Sequence, residues 1–423
     1  MRYRFVLSQR AARLALSVTP FRSATAPEPV PTEAIQIQTI EDWLPEVSFY
    51  RQLSRLLPEG EIKSSECAFQ AEWRSKAGLA EQIIAILNEI ASPYRYGRTA
   101  NSYLDLIGRT PLVRVERLSE NCCGQVLVKM ESMEPGSVKD RAVAHMVAEA
   151  VRRSDIGPNT EVVEASSGNL AFALSAILGV TCDRKPTIFM SKMHGPPKRR
   201  AVRISGSRIV LTNAEEGTRS AKRAAVKYAE SRKDVFQINQ HGNPDNPGAH
   251  RLTTGPEIYH QAHVMAGRPP DEIICSVGSG GTAIGLCMFR DDIDADFRVI
   301  GVEPENASLL TGGDFNAHHF SGMAPGWITD LLAEHGDKLD EVVTVTEKDA
   351  FETCREMLVK EGLLVGPSSG AAISVALRRA CLPENEGKVI VAFAHDRGDR
   401  YLDIEDLFVP PLDATEQEVE DLK

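Results

Sequence analysis

The run Glu272-Ile273-Ile274-Cys275-Ser276-Val277 leads straight into Gly278-Ser279-Gly280-Gly281-Thr282. It reads as an apolar strand, a glycine loop and a helix starting at Thr282. The same order occurs earlier, where Thr160-Glu161-Val162-Val163-Glu164 reads as a strand, followed by a Ser/Gly loop and a helix from about Leu170. Lys388-Val389-Ile390-Val391-Ala392-Phe393 is a third such strand. Strands alternating with helices predict an α/β fold with parallel sheets and helical crossovers. Two strand-loop-helix units about a hundred residues apart predict two similar lobes, with ligands held between them at the carboxyl ends of the strands.

The chain has 423 residues, room for two or three domains. A hydrophobic fraction of 42% predicts a packed core. The net charge of −11 argues against a general nucleic-acid binder, and no apolar run is long enough to span a bilayer. The eight cysteines contain no CxxC pair and no Cys/His set at zinc spacing, so no metal site is expected. They read as reduced and mostly buried, as in a cytoplasmic or organellar compartment.

The domain plan has four parts. Residues 1–98 are an N-terminal extension with a disordered start and a helical remainder. The clearest helix is Leu79-Ala80-Glu81-Gln82-Ile83-Ile84-Ala85-Ile86-Leu87-Asn88-Glu89-Ile90, apolar on one face. Residues 99–240 form one α/β lobe, residues 241–410 a second, and 411–423 an acidic tail. The first 27 residues carry Arg2, Arg4, Arg10, Arg13 and Arg22 and no acid. That composition suits a mitochondrial or plastid transit peptide, and equally a disordered basic tail.

Four segments are candidates for chemistry. Gly278, Ser279, Gly280, Gly281 and Thr282 curl the backbone at a helix start, so that N–H groups converge on an anion such as phosphate. Lys139 in Ser137-Val138-Lys139-Asp140-Arg141 lies just inside a helix, where a lysine beside an aldehyde cofactor forms a Schiff base. Ser166-Ser167-Gly168-Asn169-Leu170 offers hydroxyl, amide and backbone donors to a carboxylate. Gly366-Pro367-Ser368-Ser369-Gly370 opens another helix. Taken singly, these are also a tight turn, a surface lysine and two helix caps.

Taken together and in this order, they resemble the cysteine synthase and cystathionine β-synthase family of fold-type II pyridoxal-phosphate (PLP) enzymes. The resemblance runs from about Leu106 to Leu402. It includes Ile107-Gly108-Arg109-Thr110-Pro111-Leu112, Thr253-Thr254-Gly255-Pro256-Glu257-Ile258 and Arg400-Tyr401-Leu402. It implies PLP in a cleft between two parallel-sheet lobes. Lys139 is then the Schiff-base lysine and the α-proton base, and Gly278 to Thr282 hold the phosphate. Asn169 bonds the ring hydroxyl, and Ser368 faces the pyridine nitrogen. Ser166, Ser167, Gly168, Leu170 and Gln237 bind the substrate carboxylate or line its site. A serine at the pyridine nitrogen leaves the ring a weaker electron sink, which favours β-elimination over transamination.

The implied activity is β-replacement on O-acetylserine or O-phosphoserine through an aminoacrylate, by a homodimer acting on small amino-acid substrates. The sequence departs from the family in three places. Leu170 stands where the family has threonine, Glu134 stands for Asn in a loop one residue shorter, and Gly322-Met323-Ala324-Pro325-Gly326-Trp327 replaces a more regular glycine-rich segment. The Ser-Ser-Gly-Asn-Leu loop looks like that of N-(2-amino-2-carboxyethyl)-L-glutamate synthases of the 2,3-diaminopropionate pathway, which use an amine nucleophile. The donor's leaving group and the nucleophile (sulfide, thiosulfate or amine) stay open. So does a catalytically silent regulatory protein that keeps the fold, although such a protein has no need of Lys139, Asn169 and Ser368.

Overall fold

The computed structural model describes residues 100–408, apart from 167 and 216, and the backbone of four short strands before them. The chain divides into two units, Met1–Thr99 and Ala100–Lys423. In the first unit, β1 (Arg2–Arg10), β2 (Arg13–Phe21), β3 (Ile62–Ser65) and β4 (Ala68–Arg74) pair antiparallel in the order β2-β1-β4-β3. The sequence reading expects an unstructured start in this stretch. The helical reading of residues 79–90 and the acidic tail lie outside the described residues.

The second unit holds two sheets. A four-stranded sheet is ordered β10-β7-β8-β9, from β7 (Glu161–Ala165), β8 (Thr187–Ser191), β9 (Arg208–Thr212) and β10 (Val235–Gln237), all parallel. A six-stranded sheet is ordered β13-β12-β11-β14-β6-β5. It is built from β5 (Leu112–Arg114), β6 (Gln125–Lys129), β11 (Glu272–Ser276), β12 (Arg298–Pro304), β13 (Glu341–Val345) and β14 (Val389–Phe393). All its pairings are parallel except β5 with β6. The three strands read from sequence are β7, β11 and β14. Val389–Phe393 is buried throughout, as expected for a parallel strand covered on both faces.

Helices cover both sheets. α1 (Lys139–Arg152), α2 (Asn169–Cys182), α3 (Pro196–Ile204) and α4 (Gly217–Glu230) belong to the smaller lobe. Val143, Met146 and Val147 of α1 pack with Leu170, Leu174 and Ile177 of α2 against Ile188 and Met190 of β8. In the larger lobe, α5 (Asp245–Ala249) leads through a π-turn into α6 (Gly255–Ala266); α7 (Gly281–Ile293), α8 (Asp330–His335), α9 (Glu347–Glu361) and α10 (Pro367–Ala380) follow. α6 and α7 pack on one face of the larger sheet through Ile258, Leu286 and Phe289, and α9 and α10 on the other through Met357, Ile373 and Val375.

Two expectations are corrected. The lobes are not the contiguous spans 99–240 and 241–410, because β5 and β6 belong to the larger sheet, where Val126 aligns with Ile390 of β14. Pairing over that sequence distance leaves no local trace. The cysteines are not all reduced, since Cys122 and Cys381 form a disulfide. The turn before β6 and the end of α10 bring them together. Of the free cysteines described, Cys275, Cys287 and Cys354 are buried, while Cys123 is exposed.

Candidate active site

The carboxyl ends of the strands open on a narrow cleft. Lys139, Asn169, all five residues from Gly278 to Thr282, and Ser368 line it. These residues come from four segments spread over two hundred positions, and every one proposed to contact the cofactor reaches the same cavity.

Lys139 is placed by its neighbours. Asp140 turns the preceding loop by accepting the Gly136 and Ser137 N–H groups at 2.6 and 2.8 Å, and its other oxygen accepts Tyr103 Oη–H at 2.8 Å. Arg141, two residues on, is buried and pairs with Glu131 at 2.7 Å, Glu134 at 2.9 Å and Glu257 at 2.7 Å. Lys129 completes this group through Glu257 at 2.6 Å. Three carboxyl groups thus share two cations under the start of α1. Glu134, which replaces the family's asparagine, also accepts the Gly108 N–H. Burial, with Glu131 nearby, pushes its carboxyl up to about 8. At Lys139 itself, burial pushes the ammonium pKa down, only partly opposed by the Asp396 charge. A lysine so shifted has a larger neutral, nucleophilic fraction.

The glycine loop leaves no room for side chains. A Cβ at Gly278 would lie 2.0 Å from the Gly322 carbonyl oxygen, and one at Gly281 would lie 2.1 Å from Asn246 Oδ1. Asn246 Nδ2 donates to Ser279 Oγ at 3.1 Å, and Thr329 Oγ1–H to the Ser279 carbonyl at 2.9 Å, so the loop is braced from outside. Thr282 Oγ1 lies 3.2 Å from Nε2 of His250, a ring that burial and the charges of Arg141 and Lys139 keep neutral. At the start of α7 the Gly281 N–H donates to Ser279 Oγ at 3.3 Å, and the N–H groups that follow in a helix's first turn are the kind that hold an anion.

The residues assigned to the substrate behave differently. Ser166 Oγ accepts the Ala171 N–H at 3.2 Å and caps α2 from within, outside the cleft lining. Gly168 precedes α2 and does not line the cleft, and Ser167 lies outside the described residues. Gln237 ends β10, and its Nε2 is buried without a hydrogen-bond partner, as suits a donor awaiting a ligand. Leu170 is 3% exposed, packs among the apolar residues of α1 and α2, and does not line the cleft. A leucine at that point of α2 gains more from the core than from the cleft.

The sequence reading missed His395 and Asp396, which also line the cleft. They follow β14 directly, so the rule that placed the other loops at strand ends applied to them too. Asp396 Oδ2 accepts Asn169 Nδ2–H at 2.6 Å and the Tyr401 hydroxyl; Arg400 donates to Asn169 Oδ1 at 2.8 Å.

Comparison with known proteins settles the family. Residues 103–396 match the family described as pyridoxal-phosphate dependent enzyme. The chain belongs to that family. It is 36% identical to a probable cysteine synthase of Bacillus subtilis over 299 residues, which is 70% of this chain and 94% of that protein. It is 34% identical to O-ureido-L-serine synthase of Streptomyces lavendulae over 303 residues, 71% of this chain and 91% of that one. The crystal structure of a cysteine synthase from Entamoeba histolytica superposes with a TM-score of 0.68 at 30% identity, covering 78% of this chain and 94% of its own. The fold is therefore that of the fold-type II pyridoxal-phosphate enzymes, and this enzyme depends on that cofactor. The residues present fit it, because Gly278, Gly280 and Gly281, where a Cβ has no room, form a cradle that suits a phosphate and Lys139 faces the same cavity. Among the described residues, no cluster suited to a metal ion occurs and no helix is long and apolar enough to cross a membrane.

Proposed function

We propose that this enzyme replaces the β-substituent of an activated serine, O-acetylserine or O-phosphoserine, with an external nucleophile. The observation that carries the reading is the convergence of Lys139, the glycine loop and Ser368 on one cleft. Lys139 would hold the cofactor, and its Nζ is placed to take the proton from the substrate's Cα and to return it. The amides from Gly278 to Thr282 hold the phosphate, Asn169 and Ser368 flank the ring, and the unpartnered Gln237 Nε2 is the donor left for the substrate carboxylate. Bound there, PLP supplies an electron-withdrawing ring that acidifies the Cα–H of the attached amino acid.

A sulfur nucleophile is the first choice, since several relatives carry the name cysteine synthase. An amine nucleophile is the second, and the O-ureido-L-serine synthase relative, whose named product carries oxygen rather than sulfur on Cβ, is compatible with a nucleophile other than sulfide. The reading includes small amino-acid substrates, two lobes meeting at the cleft, a homodimer, and a cytoplasmic or organellar setting. The test is a spectral titration of the yellow holoenzyme with O-acetylserine and with O-phosphoserine, followed by sulfide, thiosulfate, L-glutamate or ammonia. A donor-induced change in the cofactor band that an acceptor reverses supports it. No response to either donor overturns it.

A further inference from the structure

His395 is 7% exposed, lines the cleft, and has no hydrogen-bond partner on either Nδ1 or Nε2. Its main chain is clamped. The N–H donates to Ser369 Oγ at 2.8 Å, and the carbonyl accepts the Val138 N–H at 2.9 Å. The residue is thus fixed between the start of α10, where Ser368 stands, and the residue preceding Lys139. Its ring stacks on Phe393, with centroids 5.5 Å apart and planes at 23°. Burial and the Lys139 charge push the ring down to about 3, so it is neutral. A neutral imidazole carries one N–H donor and one lone pair. Burying both unmet costs stability, and a fold keeps such a group where a ligand completes it.

We propose that His395 contacts the cofactor, completing with Ser368 the wall at the pyridine-nitrogen end and donating its ring N–H there. This deepens the reading above and rests on PLP binding in this cleft. Asp396, the next residue, engages Asn169 and Tyr401 through its Oδ2, whereas neither ring nitrogen of His395 has a partner. A neutral donor at the ring nitrogen supplies a hydrogen bond without supplying a proton. It therefore acts in the same direction as Ser368, keeping the ring a weak electron sink.

The test uses the holoenzyme with His395→Phe, which retains an aromatic ring on Phe393 and removes the donor, and with His395→Asn, which retains a donor. Circular dichroism checks folding. The expected result for His395→Phe is a displaced visible band and cofactor loss on dialysis about five-fold faster, the order of one neutral hydrogen bond, with His395→Asn nearer the native protein. If His395→Phe fails to fold, the same comparison of band and cofactor retention is made on His395→Asn and His395→Gln, which differ in donor reach. An unchanged band and unchanged retention overturn the proposal. So does a change confined to the KM of the nucleophile, which assigns the ring to the acceptor instead. A native protein that takes up no PLP overturns the wider reading, a result separable from the others because it appears before any variant is made.

Discussion

Asn169 Nδ2 donates to Asp396 Oδ2 at 2.6 Å, joining the first residue of α2 in the smaller lobe to the loop after β14 in the larger. The carboxylate is buried, and Tyr401 donates to the same oxygen. Hydrogen bonds to a charged group are worth about 1.5–3 kcal/mol each. Asp396→Ala should therefore destabilise the fold by at least that amount and loosen the cofactor, because Asn169 loses the partner that aims it. Urea denaturation and PLP titration check both effects; unchanged cofactor affinity would show that Asn169 holds its position without Asp396.

Lys139→Ala should give a folded, colourless protein that takes up PLP reversibly and is inactive. The loss is chemical, since no other lysine among the described residues lines the cleft. Mass spectrometry after borohydride reduction should find the cofactor on Lys139 in the native protein and on no residue of the variant.

Gly278→Ala puts a methyl group 2.0 Å from the Gly322 carbonyl oxygen, a contact that only backbone movement relieves. Overpacking of this kind costs about 1–3 kcal/mol. The cost falls on the phosphate cradle, so cofactor affinity should drop more than the stability of the cofactor-free fold. Equal losses in both would count against the loop as the phosphate site.

Glu134 gives a pH dependence whose sign follows from its environment. Its folded-state carboxyl is raised to about 8 by burial, with the Glu131 charge adding to it and Arg141 opposing. The unfolded value is about 4.3. The native state therefore binds the proton more tightly, and this contribution is fully present below about pH 4 and lost as pH rises through 8. Glu134→Gln should flatten the decline in stability between pH 5 and 8, measured by thermal melts at constant ionic strength. An identical slope in both proteins would place the decline elsewhere.

Leu170→Thr should cost about 2–4 kcal/mol, because it removes apolar volume from the α1–α2 core and buries a hydroxyl there. The preference among nucleophiles should not change. A variant of native stability that moves toward sulfide would return Leu170 to the substrate pocket.

The strands and cofactor loops were legible because parallel strands buried on both faces are short apolar runs, and glycine loops interrupt them at the ends that hold ligands. The burial of Leu170 was not legible because a loop motif says which residues are near a site, not which way each side chain turns. His395 and Asp396 escaped notice because a single polar residue after a strand carries no periodic signal. The Cys122–Cys381 bond and the β6–β14 pairing join positions about 260 residues apart, and only the assembled sheet brings such positions together.

That last pairing governs the order in which the molecule can be made. The strands of the smaller lobe, β7 to β10, lie within one continuous stretch, so this lobe can collapse as soon as it leaves the ribosome. The larger sheet cannot, since β6 must wait for β14, its neighbour in the sheet and the last strand among the described residues. Closing so long a loop adds little to the equilibrium cost but slows the search. A nascent chain released before Phe393 would carry Lys139 and the glycine loop yet lack the strand between β6 and β11. Cofactor capture should therefore be a late event in biosynthesis, marking a finished chain.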